Sequence, residues 1–540
     1  MRCCSFRVVF ACLILFYASG SAGAQGDPVP PSLRSQATAP DPIHQFEKIV
    51  VKVPMRDGIG LNTEIYKPRN APGRLPIILW RTPYGMPFTV TRAGTGAAGS
   101  IFATRLRALV TDGYIFVFQD IRGRHGSEGQ FVLLRPKRRG PDEVDESTDT
   151  QDTIDWLLKN VAGHNGRVGM TGLSYPGWLA AVAATDPHPA LYAVAPQAPV
   201  NDFAMTDDFF HNGAFRLSYA FEWVQFAERS GSAEPFAFDA RDTFEWYLKQ
   251  KTLRKMYEDH IAGKATAWEL ILAHPTYDEF WRERAMSSHG TSKIPSLLAG
   301  GWLDSENRSG PSRIFEHWIR TGASDAHLVM GPWTHGGILE AGGTADYYQY
   351  KVLAPWLAKH LKGTPSAEMP PVLLFETGSE KWVSSRTWPT KDGVKRKLYL
   401  HADGKISFEL PKTEHSLLSY ISDPNRPVPY RPRPIESFVA GPGWARWQSN
   451  DQRFSEPRPD VLTWTSDPLE RDLVVSGSIV ANLFASTTGT DVDWVIKLID
   501  VHPEGPETRW IPAVDIIRDN PRALQGQPRR GEAGYPGKDN

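Results

Sequence analysis

A serine set on a tight turn is the first residue of this chain that could do chemistry. In Gly172-Leu173-Ser174-Tyr175-Pro176-Gly177 a strand-like run leads into Gly172, and an alanine-rich, helix-like run follows. Strand, sharp turn and helix are the context a nucleophilic serine needs, because the turn thrusts the hydroxyl clear of the backbone. Small neighbours let such a turn close. Pro176 stands where a second glycine is usual, and Gly177 comes one place later. A serine hydroxyl is a weak nucleophile until a base takes its proton and a carboxylate orients that base. Two later loops supply both, in the order serine, acid, histidine. Asp304 closes Gly300-Gly301-Trp302-Leu303-Asp304, just beyond the apolar run 296–300. His335 lies in Gly331-Pro332-Trp333-Thr334-His335-Gly336, just beyond the run 326–331. Of the 15 histidines it alone combines that order, a loop after a short strand, and flanking glycines. Acyl transfer also needs donors for an oxyanion. The backbone N–H of Tyr175 is the expected first, and Tyr84, in Arg81-Thr82-Pro83-Tyr84-Gly85, offers a phenolic O–H.

The elements that must hold these residues read as an α/β chain. Strand-like runs at 48–53, 61–66, 75–80, 114–119 and 167–171 precede those at 296–300 and 326–331, with helical spacing at 148–160 and 178–185. Strands alternating with helices argue for a mostly parallel sheet. The stretch 204–288 is rich in Phe, Trp and Tyr at helical spacing, the pattern of a helical insertion over a site. From Pro370 short alternating segments dominate, at 398–400, 473–475, 479–484 and 495–501, an all-β pattern. At 540 residues the chain can bury large cores without disulfides or metal. Lys+Arg 60 against Asp+Glu 61 leaves no basic field for nucleic acid. The basic run 135–139 is short and reads as a solvated loop, and Asp120 and Glu128, in a glycine-rich loop, read as structural. Neither His-Glu-x-x-His nor Gly-x-x-x-x-Gly-Lys-Ser/Thr occurs, so no cofactor and no metal are expected.

The motifs around Ser174, Asp304 and His335 together resemble the cocaine esterase and X-Pro dipeptidyl-peptidase superfamily. So do Met55-Arg56-Asp57-Gly58, Arg81 to Gly85 and the run from Asp120 to Gly129. The acidic run from Glu146 to Trp156 and the segment from Asp207 to Gly213 point further, to the α-amino-acid ester hydrolases. The resemblance covers about 49–501. It implies an α/β-hydrolase fold with an inserted helical cap and a C-terminal β jelly-roll domain, apparently incomplete, and makes Tyr84 the side-chain oxyanion donor. It also implies that Asp208 and Glu306 are two of three carboxylates that bind a substrate ammonium. The third position falls on Asn307, which is neutral, and Asp207 is an adjacent alternative to Asp208. The expected activity is therefore that of an ester or amide hydrolase working through an acyl-enzyme, acting on α-amino esters or β-lactams. An X-Pro dipeptidyl-peptidase, a glutaryl-type acylase and a catalytically impaired homologue are the alternatives.

The domain expectation follows: leader 1–24, extended arm 25–45, catalytic unit 46–203 and 289–369, cap 204–288, and β domain 370–540 with an irregular tail from about 510. Arg2 and Arg7, an apolar run at 8–18 and Ala22-Gly23-Ala24 read as a secretory signal peptide cut after Ala24, which implies a periplasmic or secreted bacterial protein. Cys3, Cys4 and Cys12, the only cysteines, would leave with it, and the formal charge would pass from −1 to −3. The expected partner is a small-molecule ester or amide, with no membrane attachment after cleavage, and the arm is a candidate for joining copies of the chain. The tail reads as a truncation or frameshift, because the family's closing strands are missing from it.

Overall fold

The computed structural model describes residues 41–501 apart from 72, 86–88, 92–97, 207, 229–235, 264, 341, 392, 414–415, 438–447 and 449–450, together with two upstream backbone strands, Ser5–Val9 and Ile14–Phe16. The rest of the leader, nearly all of the arm, Asp207 and the tail from about 510 lie outside the described residues.

Ten strands make the main sheet: β1 (Phe46–Pro54), β2 (Gly60–Pro68), β3 (Leu75–Thr82), β4 (Ile115–Asp120), β5 (His164–Leu173), β6 (Leu191–Gln197), β7 (Ser296–Gly301), β8 (Ala326–Gly331), β9 (Val372–Glu376) and β10 (Lys381–Ser385). Their spatial order is β10-β9-β8-β7-β6-β5-β3-β4-β2-β1. The seven from β4 through β9 run parallel, and β1, β2 and β10 are antiparallel additions at the two edges. A sheet buried on both faces needs apolar residues at every position, sorted by parity. In β3 and β4, Ile77, Leu79, Ile115 and Val117 join one core while Ile78, Trp80, Phe116 and Phe118 join the other.

Helices α1 (Glu146–Asn160) and α2 (Tyr175–Thr185) cover the first face, with α5 (Gly310–Arg320) further along. The start of α1 is set by Asp145, whose carboxylate accepts from the amides of Ser147 and Thr148 at 3.0 and 2.9 Å while Thr148 Oγ1 accepts the Asp145 N–H at 2.9 Å. That reciprocal pairing satisfies amides a bare helix end leaves open. Helix α6 (Ala354–Lys362) packs on the opposite face. Between β6 and β7 the described residues include helices α3 (Leu217–Glu228) and α4 (Thr266–Ala273) and a two-stranded ribbon of Phe210–His211 with Ala214–Phe215. Among the described residues no helix is long and apolar enough to cross a membrane.

β9 and β10, just beyond the boundary expected at Pro370, pair into the main sheet. A short apolar run such as 372–376 carries no mark of which sheet it will join, because its partners are remote in sequence. Beyond β10 the strands are short and antiparallel or isolated. Trp464–Pro468 and Lys497–Val501 flank Ser5–Val9, while Val394–Arg396 pairs with Ile14–Phe16. The runs 473–475 and 479–484 hold only single-residue bridges, at Val475 and Val480, and are not strands, and Phe484 is fully exposed. The basic run is tied to acids of the chain itself, Arg138 to Asp186 at 2.7 Å and Arg139 to Glu283 at 2.5 Å.

Candidate active site

Five loops leave the C-terminal ends of β3, β5, β6, β7 and β8, and each carries one part of the expected site. Ser174 follows β5 directly, with φ 68° and ψ −127°. A side chain is held there at a cost of roughly 1–3 kcal/mol. Neighbouring glycines make the turn possible. A Cβ on Gly172 would sit 2.5 Å from the Pro176 backbone, and one on Gly177 would sit 2.4 Å from Gln197 O. Gly177 therefore lets the helix close on β6, and Pro176 is harmless at a helix start, where no amide is needed. Ser174 N–H donates to Gln197 O at 2.9 Å, which pins the turn. The Tyr175 amide opens α2, among the N–H groups a helix leaves unpaired. Its side chain is spent elsewhere, its hydroxyl accepting the Leu134 N–H at 2.7 Å.

Asp304 Oδ2 lies 2.9 Å from His335 Nδ1, and Asp304 Oδ1 accepts the amides of Glu306 and Asn307 at 2.7 and 2.9 Å. Burial would raise the Asp304 carboxyl, but His335 and those two amides outweigh it and hold it below its ordinary value. Burial alone would likewise depress His335. The charges of Asp304, Glu306 and Asp208 prevail and push the imidazole up to about 10. Its Nε2 lies 3.6 Å from Glu306 Oε2. Ser174 Oγ accepts from Asn307 Nδ2 at 3.3 Å, and no hydrogen bond joins Ser174 to His335 among the described residues. Asn307 Oδ1 is buried without a hydrogen-bond partner.

Tyr84 reaches the site from the loop after β3. Its hydroxyl accepts from Trp223 Nε1 at 3.3 Å. Burial, reinforced by the charges of Asp208 and Glu306, raises the phenol well above its ordinary value, so it keeps its proton at neutral pH. The carbonyl of Pro83, one residue earlier, accepts from Arg124 Nε at 3.0 Å and faces His125 Nε2 at 3.1 Å. Asp120 and Glu128 act in the same loop as scaffolding. Asp120 accepts from Asn62 Nδ2 at 2.8 Å, and Glu128 from Lys52 Nζ at 2.5 Å.

Asp208 and Glu306 face each other across one hydroxyl. Tyr219 OH lies 2.6 Å from Asp208 Oδ1 and 2.6 Å from Glu306 Oε2. A hydroxyl has a single proton to give, so the second contact needs a proton on a carboxyl. Burial and the neighbouring Glu306 push Asp208 up to about 7, making it the group that carries one. Asp208 is then only about half ionised at neutral pH, in a region where both side chains are nearly inaccessible.

Three residues of the site escaped the sequence reading. Tyr219 and Trp223 come from α3, whose aromatic spacing marked a cap helix but not which rings meet Asp208, Glu306 and Tyr84. Gln448 comes from beyond the main sheet, and its Oε1 accepts the amides of both Ser305 and His335 at 3.1 Å. No local pattern marked it.

A parallel sheet that presents a strained serine, a carboxylate and a histidine from successive C-terminal loops belongs to a serine hydrolase with the α/β-hydrolase fold. Comparison with known proteins places it more narrowly. The X-Pro dipeptidyl-peptidase (S15 family) pattern matches residues 57–337, and that of the X-Pro dipeptidyl-peptidase C-terminal non-catalytic domain matches 366–521. The chain is 30% identical to the cocaine esterase of Rhodococcus sp. (strain MB1 Bresler), over 90% of this chain and 85% of that one. Among solved structures it is similar to an aminopeptidase from a marine sediment Thaumarchaeota archaeon, with 33% identity, TM-score 0.73 and coverage of 84% and 76%. It is also similar to an α-amino acid ester hydrolase, with 35% identity, TM-score 0.70 and coverage of 82% and 76%. The chain belongs to the X-Pro dipeptidyl-peptidase (S15) family and is a serine hydrolase.

Proposed function

We propose that the protein hydrolyses esters and related amides of α-amino acids through an acyl-enzyme, outside the cytoplasm, with Ser174, His335 and Asp304 as nucleophile, base and orienting acid. The observation that carries the substrate reading is the buried Asp208–Tyr219–Glu306 bridge beside Ser174. Two carboxylates there attract an ammonium and repel an anionic acyl chain, which argues against a glutaryl substrate. Asn307 Oδ1, buried without a partner, adds a neutral acceptor where a third carboxylate would only increase repulsion. The solved relatives at 33% and 35% identity, an aminopeptidase and an α-amino acid ester hydrolase by name, agree with an α-amino substrate.

In this reading His335 Nε2 takes the Ser174 proton as Oγ bonds to the carbonyl carbon. The carbonyl π pair moves onto oxygen, which the Tyr84 O–H and the Tyr175 N–H receive. Collapse breaks the bond to the leaving group, which takes the proton from Nε2. Water then repeats the sequence on the acyl-enzyme. Asp304 keeps the proton on Nδ1 and stabilises the imidazolium.

Steady-state kinetics on an α-amino ester and its des-amino analogue test the substrate. Preference for the amino ester of at least about tenfold in kcat/KM is expected, the size of a 1.4 kcal/mol contact; equal values would remove ammonium recognition. Ser174→Ala should abolish both turnover and covalent labelling by an organophosphonate, and persistent labelling would reassign the nucleophile. Export is tested by N-terminal sequencing of protein recovered from the periplasm or medium of the producing cell. A chain starting at Gln25 is expected, and a retained Met1 would discard the leader.

A further inference from the structure

One oxygen of Glu306 faces two partners. Oε2 contacts the Tyr219 hydroxyl at 2.6 Å and lies 3.6 Å from His335 Nε2. Nε2 is the nitrogen that must be bare to accept a proton from Ser174, and a ring nitrogen turned toward a carboxylate favours carrying its hydrogen. Asp304 holds Nδ1 at 2.9 Å in the same way, so the ring sits between two carboxylates of one loop. Asn307, on that same loop, donates its amide to Ser174 Oγ. The resting geometry thus keeps nucleophile and base apart, each engaged by residues 304–307. An imidazolium has no lone pair and cannot act as a base.

We propose that Glu306 gates the base: it holds His335 with a proton on Nε2 while the site is vacant, and a cationic substrate group that takes over Glu306 frees Nε2 for Ser174. The inference rests on the ammonium reading above and adds a kinetic consequence to it. When the substrate ammonium donates to Glu306 and Asp208, the charge that held the second proton on the ring is neutralised, and that proton passes to water. Ammonium binding therefore releases the ring proton, together with any proton still held on Asp208, to solvent. Oγ–H of Ser174 then gives its proton to Nε2 as its oxygen bonds to the carbonyl carbon. A neutral ester leaves the carboxylates unsatisfied and meets a protonated ring, so selectivity falls on the chemical step as well as on binding.

The surroundings of the ring agree with the gate. Among the described residues, the titratable groups around the imidazole and its carboxylates are Asp304 and Glu306 after β7, Asp208 after β6, Tyr219 on α3 and Tyr84 after β3. Arg216 and Arg308 are the cations that act on Asp208 and Asp304. The three acids outweigh the burial of the ring, whose own effect is downward.

The pH profile of kcat/KM tests the gate, because its rising limb reports the free enzyme's base. For the des-amino ester the wild-type limb should lie well above neutrality. Glu306→Gln should move it down by about one unit or more, raising the des-amino rate at pH 7 about tenfold, while slowing the α-amino ester. A Glu306→Gln enzyme slower on both esters, with its limb unmoved, overturns the proposal. A second measurement does not depend on that variant. In Ser174→Ala protein, the ring nitrogens of His335 are followed by NMR as an α-amino amide or its des-amino analogue is added. Loss of the Nε2 proton with the amino compound alone supports the gate. Tighter binding of the amino compound with the ring still doubly protonated overturns the gate and spares the ammonium reading. Equal binding of the two compounds overturns both.

Discussion

A single phenolic proton decides what Tyr84 can contribute. The phenol is buried beside Asp208 and Glu306, and both effects keep it protonated. The charge that develops on a carbonyl oxygen at Ser174 would meet that O–H and the Tyr175 amide. Removing one preorganised oxyanion donor costs about 10²–10³ in kcat. Tyr84→Phe should therefore lose that much in kcat with KM little changed, measured by initial rates on an ester; full activity would exclude the hydroxyl from the reaction. At this scale much of the site is legible in the sequence. Ser174, Asp304, His335 and Tyr84 each sit in a short motif whose neighbours in sequence are also its neighbours in the turn. Asn307 was legible only as a missing charge; its amide to Ser174 requires the fold of the 304–307 loop. Tyr219 and Trp223 were not legible, because a helix shows its apolar face in its spacing but not what that face will cover.

At the scale of elements, the loop bearing Tyr84 is anchored by an ion cluster beneath it. Arg81, at the end of β3, has no solvent exposure. It donates to Gln119 Oε1 at 2.8 Å, to Glu146 Oε2 at 2.9 Å and to the Glu146 carbonyl at 2.8 Å, tying the strand to the start of α1. Arg122 adds a bond of 2.6 Å to Asp149, one turn along the same helix. Replacing a whole buried pair by apolar groups is often neutral, whereas removing one partner leaves an uncompensated buried charge and costs about 3–5 kcal/mol. Arg81→Met should thus lower the unfolding free energy by about that much in urea titrations followed by tryptophan fluorescence. A loss below about 1 kcal/mol would mean that solvent reaches Glu146 and satisfies it, as at an exposed pair. The strands and α1 were readable because period-two and helical spacing are local signals. Strand β6 was not, since Pro196 and a run of small residues mask its pattern, and nothing local shows that β9 and β10 join the main sheet, because pairing is decided by distant partners.

Across the whole molecule, the catalytic loops are also held from outside the main sheet. Gln448 lies far beyond β10 in the chain, yet its carbonyl oxygen takes the amides of Ser305, next to Asp304, and of His335 at 3.1 Å each. One side chain therefore fixes the spacing between the loop of the acid and the loop of the base. The matched C-terminal domain is non-catalytic by description, and the geometry gives its part of the chain a positioning role. Small displacements of reacting groups are expensive, a shift of about 1 Å costing up to about 10² in rate. Gln448→Ala deletes both contacts without touching the substrate side of the site. It should lower kcat by about tenfold or more with KM nearly unchanged, within that bound. Gln448→Glu, which keeps the acceptor oxygen, should recover most of the loss at a pH where the new carboxylate is ionised. An Ala variant with wild-type kcat would show that the two loops keep their spacing unaided. Loss in the Ala variant with recovery in the Glu variant would locate the effect in the acceptor oxygen rather than in packing, and so make the C-terminal part of the chain a working component of the active site.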